Sequence, residues 1–441
     1  MSRILGLLIA VSLFFAASAT AEPDVRVLVV EGAKSLHLTP RNAFSVSSEA
    51  GEIRVAAPGE ALVVAPSRSA GIRIVSRATS ETLARTTAEV IQFRPVDPDG
   101  LLEMADVPYG VGWWWAGTED RSYDGLVEFR RTESNAIDVI VQLPVEEYLR
   151  GVVPSEIGPT APEEALKAQA VAARSETMTA LRERVYAGPH HDICADVNCQ
   201  VYAGIGRRNE ATDAAIRATR GLVIAYEGAS IPAYYASNCG GHSENIENVW
   251  PERDRGIPCW DGVFEGPGND PGDLSDSAVF AQWVASRPAV YCNRDAYPEL
   301  PEWTQKNFRW TREISAVELG ERVATLGKDI GRIVRIEPLE RGVSGRLNRV
   351  KFVGMYGQDV TVGPELAIRR VWESPLKSSA FVVKPDRKDG PPEMFLIEGA
   401  GYGHGVGLCQ TGAMARATEG QDFRQILTHY YSGTEVIAAY E

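Results

Sequence analysis

The sequence predicts an α+β protein: a mixed core domain built on a long Ala-rich helix and antiparallel strands, preceded by an all-β module. Three observations predict it. From Val25 to about Pro95, apolar and polar residues alternate in short runs punctuated by Gly and Pro, the period of half-buried strands. From Glu163 onward strong helix formers run without Gly or Pro until Gly188. Beyond that helix, helical and strand-like runs are mixed to the end of the chain.

The chain has 441 residues, 44% apolar and 24% charged, an ordinary globular composition with room for one large core or two to three domains. A formal charge of −14 argues against non-specific nucleic-acid binding. At the start, Arg3 precedes an apolar run from Ile4 to Ala17 and then Ala19-Thr20-Ala21. That is the pattern of an export signal, placed at 1–21 with the cut after Ala21. The apolar run is short for a membrane span, so no stable span is expected after cleavage. Six cysteines, an even number in an exported chain, permit disulfides.

In the front module, 22–104, the runs VRVLVV, FSVSS, EIRVAA, ALVVAP, GIRIVS and VIQFRP read as strands in small antiparallel sheets. Residues 95–104 read as a connection to the second unit, 105–441. There YGVGWWW, Tyr109 to Trp115, suits either a sugar-stacking platform or a core edge, and the core edge is the expectation. YDGLVEFRR and AIDVIVQLP follow as paired strands turning at Glu133-Ser134-Asn135.

The stretch LPVEEYLRGVVPSEIGPTAPEEALKAQAVAARSETMTAL then gives a strand-like run, a Glu-rich turn and a corner marked by Pro159 and Pro162, before the long helix. Leu166, Ala170, Ala173, Thr177 and Leu181 form one stripe on that helix. Glu156, where the connection enters the helix, has two readings: an acid/base catalyst held rigidly at a cleft, or a carboxylate favouring the helix dipole.

Downstream, His190, Cys194 and Cys199 lie close enough to suggest zinc, and a local Cys194–Cys199 disulfide competes with it. The adjacent glycines Gly240 and Gly241 permit a backbone that other residues could not follow. Residues 254–300 read as a surface excursion bracketed by Cys259 and Cys292, a candidate disulfide staple. AVELGERVATL, IVRIEPLER, RLNRVKFVG, DVTVG and AFVVK follow as one helix and four strands. Glycine at 399, 401, 403, 405 and 407 predicts an extended run with one bare face. His404 and Gln410 there are groove residues or hydrogen-bonded scaffold. Two helices close the chain.

Four segments in order, LPVEEYLRGVVPSE…EALKAQAVAARS, DICADVNCQVYAG, PAYYASNCGGHSENIENVW and GAGYGHGVGLCQTGAMARA…ILTHYYSGTEV, resemble the SpoIID/LytB family of sporulation-related proteins. The resemblance implies a lytic transglycosylase that cuts MurNAc–GlcNAc bonds of peptidoglycan, with Glu156 as the catalytic residue. It also implies a periplasmic or wall-facing place, with an uncleaved N-terminal anchor as the alternative. Some relatives are described only as amidase enhancers, which implies a non-catalytic wall-binding scaffold and a cell-wall amidase as partner. Matching positions make Tyr234, Ser237, Gly240, Gly241, Gln200, His404 and Gln410 groove candidates, while Arg174 either holds the muramoyl carboxylate or locks the helix. Some relatives bind zinc through two Cys and two His; Asn198 stands where the second His would be, and no cofactor is expected. Cys239 and Cys409 replace a small polar residue of relatives, which implies a disulfide between groove walls.

Overall fold

The computed structural model describes residues 21–253 and 256–441. The leader expected at 1–21 lies outside the described residues apart from Ala21. The α+β class holds. Each front run quoted above is a strand: Asp24–Ala33, Phe44–Ser48, Gly51–Ala56, Leu62–Pro66, Ile72–Ser76 and Val90–Pro95. Leu36–Pro40 and Thr82–Thr86 add two more. Alternation decides what is buried: Val25 and Val27 are enclosed while Asp24 and Arg26 are not.

A seven-stranded sheet runs, in spatial order, Ile193–Cys194, Asp24–Ala33, Ile137–Pro144, Leu126–Arg131, Val90–Pro95, Phe44–Ser48, Gly51–Ala56. A six-stranded sheet begins with Gly117–Tyr123 and Leu102–Tyr109. Backbone pairing therefore crosses position 104: Asp24 faces Pro144, and the strand Leu102–Tyr109, paired with Leu36–Pro40 on one side and Gly117–Tyr123 on the other, runs through it. One apolar core extends from Val25 to Tyr440 through both parts. A second core, from Ile314 to Ile397, lies within the strand-rich segment near the C-terminus.

The Glu-rich turn and corner are instead a helix, α1 (Val145–Glu156), followed by α2 (Glu163–Glu183). Proline does not stop α1 because Pro154 sits in its last turn, where it removes one backbone donor and little else. Ser155 Oγ donates to the Gly151 carbonyl at 2.8 Å in the same turn. The stripe expected on α2 is too narrow. Ala170, Val171, Ala172 and Ala173, consecutive and pointing all round the helix, are each 0% exposed. Their small size lets α1 and the helices Gln410–Thr418 and Phe423–Tyr430 close in on it.

The tryptophans of YGVGWWW do not fill a core edge. Trp114 is 62% exposed, Trp113 stacks on Trp115 at 4.8 Å, and Arg369 and Arg370 lie over Trp113 at 5.3 and 5.8 Å. The stretch expected as a surface excursion is anchored inward, with Cys259, Trp260, Glu265 and Cys292 all buried. No helix of the described residues is long and apolar enough to cross a membrane.

Candidate active site

Glu156 is the last residue of α1, at the negative end of the helix, where a carboxylate is disfavoured. That placement excludes the dipole-favouring reading. Its Oε1 accepts the Val201 amide at 2.8 Å, and the side chains of Gln410 and Tyr235 stand by the carboxyl and favour its charged form. Part of the residue reaches solvent, while protein atoms crowd the carboxyl group itself. Loss of water pushes it up to about 7, and these three neighbours only partly offset this. Glu176, on α2, shares two neighbours with it, since both carboxyls act on Tyr148 and Tyr235.

Tyr235 and Gln410 are themselves fixed. Tyr235 Oη donates to Gln200 Oε1 at 2.8 Å, and Gln200 Nε2 donates to Thr177 Oγ1 on α2 at 2.9 Å. Gln410 Nε2 donates to Gln169 Oε1, also on α2, at 3.2 Å. Gln200 and Gln410 are buried, so they position the site from behind. A short parallel pair, Tyr235 with Leu408 and Ala236 with Cys409, brings the two distant segments side by side.

His404 lies beside them, with Nε2 2.8 Å from the Tyr235 carbonyl. The Val406 amide donates to its Nδ1 at 3.1 Å, which assigns the proton to Nε2 and leaves the ring neutral. Burial pushes its pKa down to about 3. Its ring centroid is 4.6 Å from that of Trp250. Glu156, Val201, Tyr235, Trp250 and His404 each keep a partly exposed surface, so this chain of contacts reaches solvent.

Other candidates fall elsewhere. Arg174 is 0% exposed and grips Glu146 with two bonds, 2.9 and 2.8 Å; it locks α2 to α1 and is closed to a substrate carboxylate. Tyr234 points into the core against Trp250 and Trp260, and its neighbour Tyr235 is the one that reaches Glu156. Ser237 Oγ accepts from Asn307 at 3.2 Å. Gly240 and Gly241 have φ of +83° and +109° and are buried; the Gly240 amide is taken by Asn238 Oδ1 at 2.9 Å. They serve packing, since a Cβ at Gly241 would stand 2.6 Å from the Trp283 ring.

The glycine run is not extended. Gly401, Gly403, Gly405 and Gly407 all take positive φ, from +70° to +102°, so the chain coils rather than baring one face. A Cβ at Gly405 would lie 2.4 Å from Arg346 Cζ.

Among the cysteines, Cys194 and Cys199 form a disulfide, which takes up both sulfurs a zinc ion would need there, and His190 is exposed. Cys259 and Cys292 are not joined; Cys259 is a separate buried thiol. Cys239 and Cys409 do meet, as unbonded thiols, and Cys292 joins them.

Residues 133–226, which include Glu156, match the Stage II sporulation protein family SpoIID, and residues 280–407 match a domain of unknown function, DUF8618. Over residues 133–226 the chain is similar to the SpoIID family. It is 28% identical to an uncharacterized protein of Brachyspira hyodysenteriae, over 68% of each chain. It is 28% identical to the protein of Bacillus subtilis named amidase enhancer, over 65% of this chain and 40% of that one. Stage II sporulation protein D of Bacillus amyloliquefaciens is 27% identical, with 70% of this chain and 78% of that one covered.

Proposed function

We propose that this chain acts in the cell envelope as a peptidoglycan lytic transglycosylase, with Glu156 as its only acid and base. Protonated Glu156 gives its proton to the oxygen linking MurNAc to GlcNAc. The bond to C1 of MurNAc breaks as the C6 hydroxyl of the same sugar closes on C1, and the carboxylate takes up the hydroxyl proton. The product is a 1,6-anhydromuramoyl end, and Glu156 returns to its starting state.

The observation that carries this reading is the Glu156 carboxyl itself, held by the Val201 amide at a partly exposed position and pushed up to about 7 by burial, which keeps it protonated near neutral pH. His404, neutral and far below its ordinary range, is unsuited to replace Glu156 as the acid. The partly exposed Tyr235, Trp250 and His404 are proposed to contact the glycan, with strands lacking stem peptides as the substrate.

The likeness to the protein named amidase enhancer favours a second reading, a wall-binding scaffold working with an amidase. Digestion of peptide-free glycan decides between them. Anhydromuramoyl products that vanish in Glu156→Gln are expected; reducing ends would instead mark a hydrolase, and no product would leave the scaffold.

A further inference from the structure

Cys239, Cys292 and Cys409 come from three separate segments, and their sulfurs all lie within 4.8 Å of one another. All three are buried. The Cys239 and Cys292 sulfurs are 3.7 Å apart, far beyond a disulfide's ~2.05 Å. Two thiolates on one zinc ion, each ~2.3 Å from it in tetrahedral geometry, stand about 3.8 Å apart. The Cys239–Cys292 spacing, also that of two thiols in contact, leaves room for both sulfurs to share one metal ion.

Two further features are suited to negative sulfur. Cys409 caps the helix Gln410–Thr418, and its Sγ accepts the amides of Gly412 at 3.4 Å and Cys239 at 3.2 Å. Beside the cluster, the Arg309 guanidinium bonds only to backbone carbonyls, those of Val284, Gly240, Phe308 and Trp283, at 3.0 to 3.2 Å. Among the described residues no carboxylate forms an ion pair with it, and the thiols of Cys239 and Cys292 lie within its field. A divalent ion with three thiolates carries one net negative charge, which a neighbouring guanidinium favours.

We propose that Cys239, Cys292 and Cys409 bind one thiophilic divalent metal ion, of which zinc is the probe. Their thiol protons leave as the metal binds. Because Cys409 precedes Gln410, the ion would clamp the segment that reaches Glu156; the proposal stands whether or not Glu156 is catalytic.

The test is metal content of the purified, metal-stripped full chain after one equivalent of zinc and gel filtration. One zinc per chain is expected, kept in Cys259→Ser and lost in Cys292→Ser. Zinc retained by Cys292→Ser, or a disulfide mapped between any two of the three sulfurs, overturns the proposal. Should Cys292→Ser fail to fold, cobalt(II) added to the unmutated chain decides. Thiolate-to-cobalt charge-transfer absorption supports the site, and its absence overturns it.

Discussion

The Val201 amide donates to Glu156 Oε1 at 2.8 Å, and Val201 follows directly on Gln200, which Tyr235 holds. One short segment thus both favours the charged form of Glu156 and fixes its neighbour. The pH dependence follows. A carboxyl raised to about 7 when folded binds its proton more tightly than in the unfolded chain. Its stabilising share is complete below the ordinary carboxylate range and is lost as pH rises towards and through about 7. Glu156→Gln is therefore expected to be more stable than the parent at pH 8 by up to about 3 kcal/mol, with the gap closing below pH 5. Thermal melts across that range check it. If the proposed activity is present, it is expected to fall in the parent as pH rises through about 7.

Opening the Cys194–Cys199 disulfide frees the loop that carries Val201. Because the amide favours the charged form, its loss raises the Glu156 pKa. Cys194→Ser with Cys199→Ser is expected to shift the alkaline fall in rate upward and to lower kcat, read from a pH–rate profile.

Tyr235→Phe removes the hydroxyl shared by Gln200 and Glu156. One lost hydrogen bond of ordinary strength corresponds to a rate loss on the order of tenfold. The same upward shift of the pH profile is expected, and it distinguishes a role at Glu156 from general loosening.

Arg174→Ala strands the Glu146 carboxylate inside the core, where only the Gly221 amide and Tyr440 hydroxyl remain to it. The expected loss is about 3–5 kcal/mol by chemical denaturation. Arg174→Lys recovers only part, having no planar fork for both oxygens.

Gly405→Ala drives a methyl group to 2.4 Å from Arg346 Cζ at a φ of +83°. Arg346 is buried and bonded to the Cys239 carbonyl and Ser344 Oγ, so it cannot swing away. A loss of about 1–3 kcal/mol is expected. Gly206→Ala, where nothing lies within 4 Å, is the control and should be neutral.

Strand periodicity makes much of the front sheets legible because strands such as Asp24–Ala33, Phe44–Ser48 and Ile72–Ser76 alternate between the core and the outside, whereas Thr82–Thr86, with no buried residue, carries no such signal. Glu156 was found through its motif, while its role depended on burial that no local pattern carries. Tyr235 was missed beside Tyr234 because only the parallel pairing with Leu408 decides which ring turns towards Glu156. Pro154 disguised α1, since a proline in a last helical turn reads like a proline after the end. Period-two glycine suggested a flat strand, but alternation of type does not report the sign of φ. Cys292 was assigned to Cys259 by sequence distance, whereas the fold carries it to Cys239 and Cys409.

The clasp between Tyr235 and Leu408 bears on synthesis. Gln410 and His404 emerge from the ribosome some 250 residues after Glu156, counting from 156 to 404 and 410. A nascent or clipped product ending before Leu408 would lack Gln410 and the strand that pairs beside Tyr235, so the surroundings of Glu156 are completed only by the last segment of the chain.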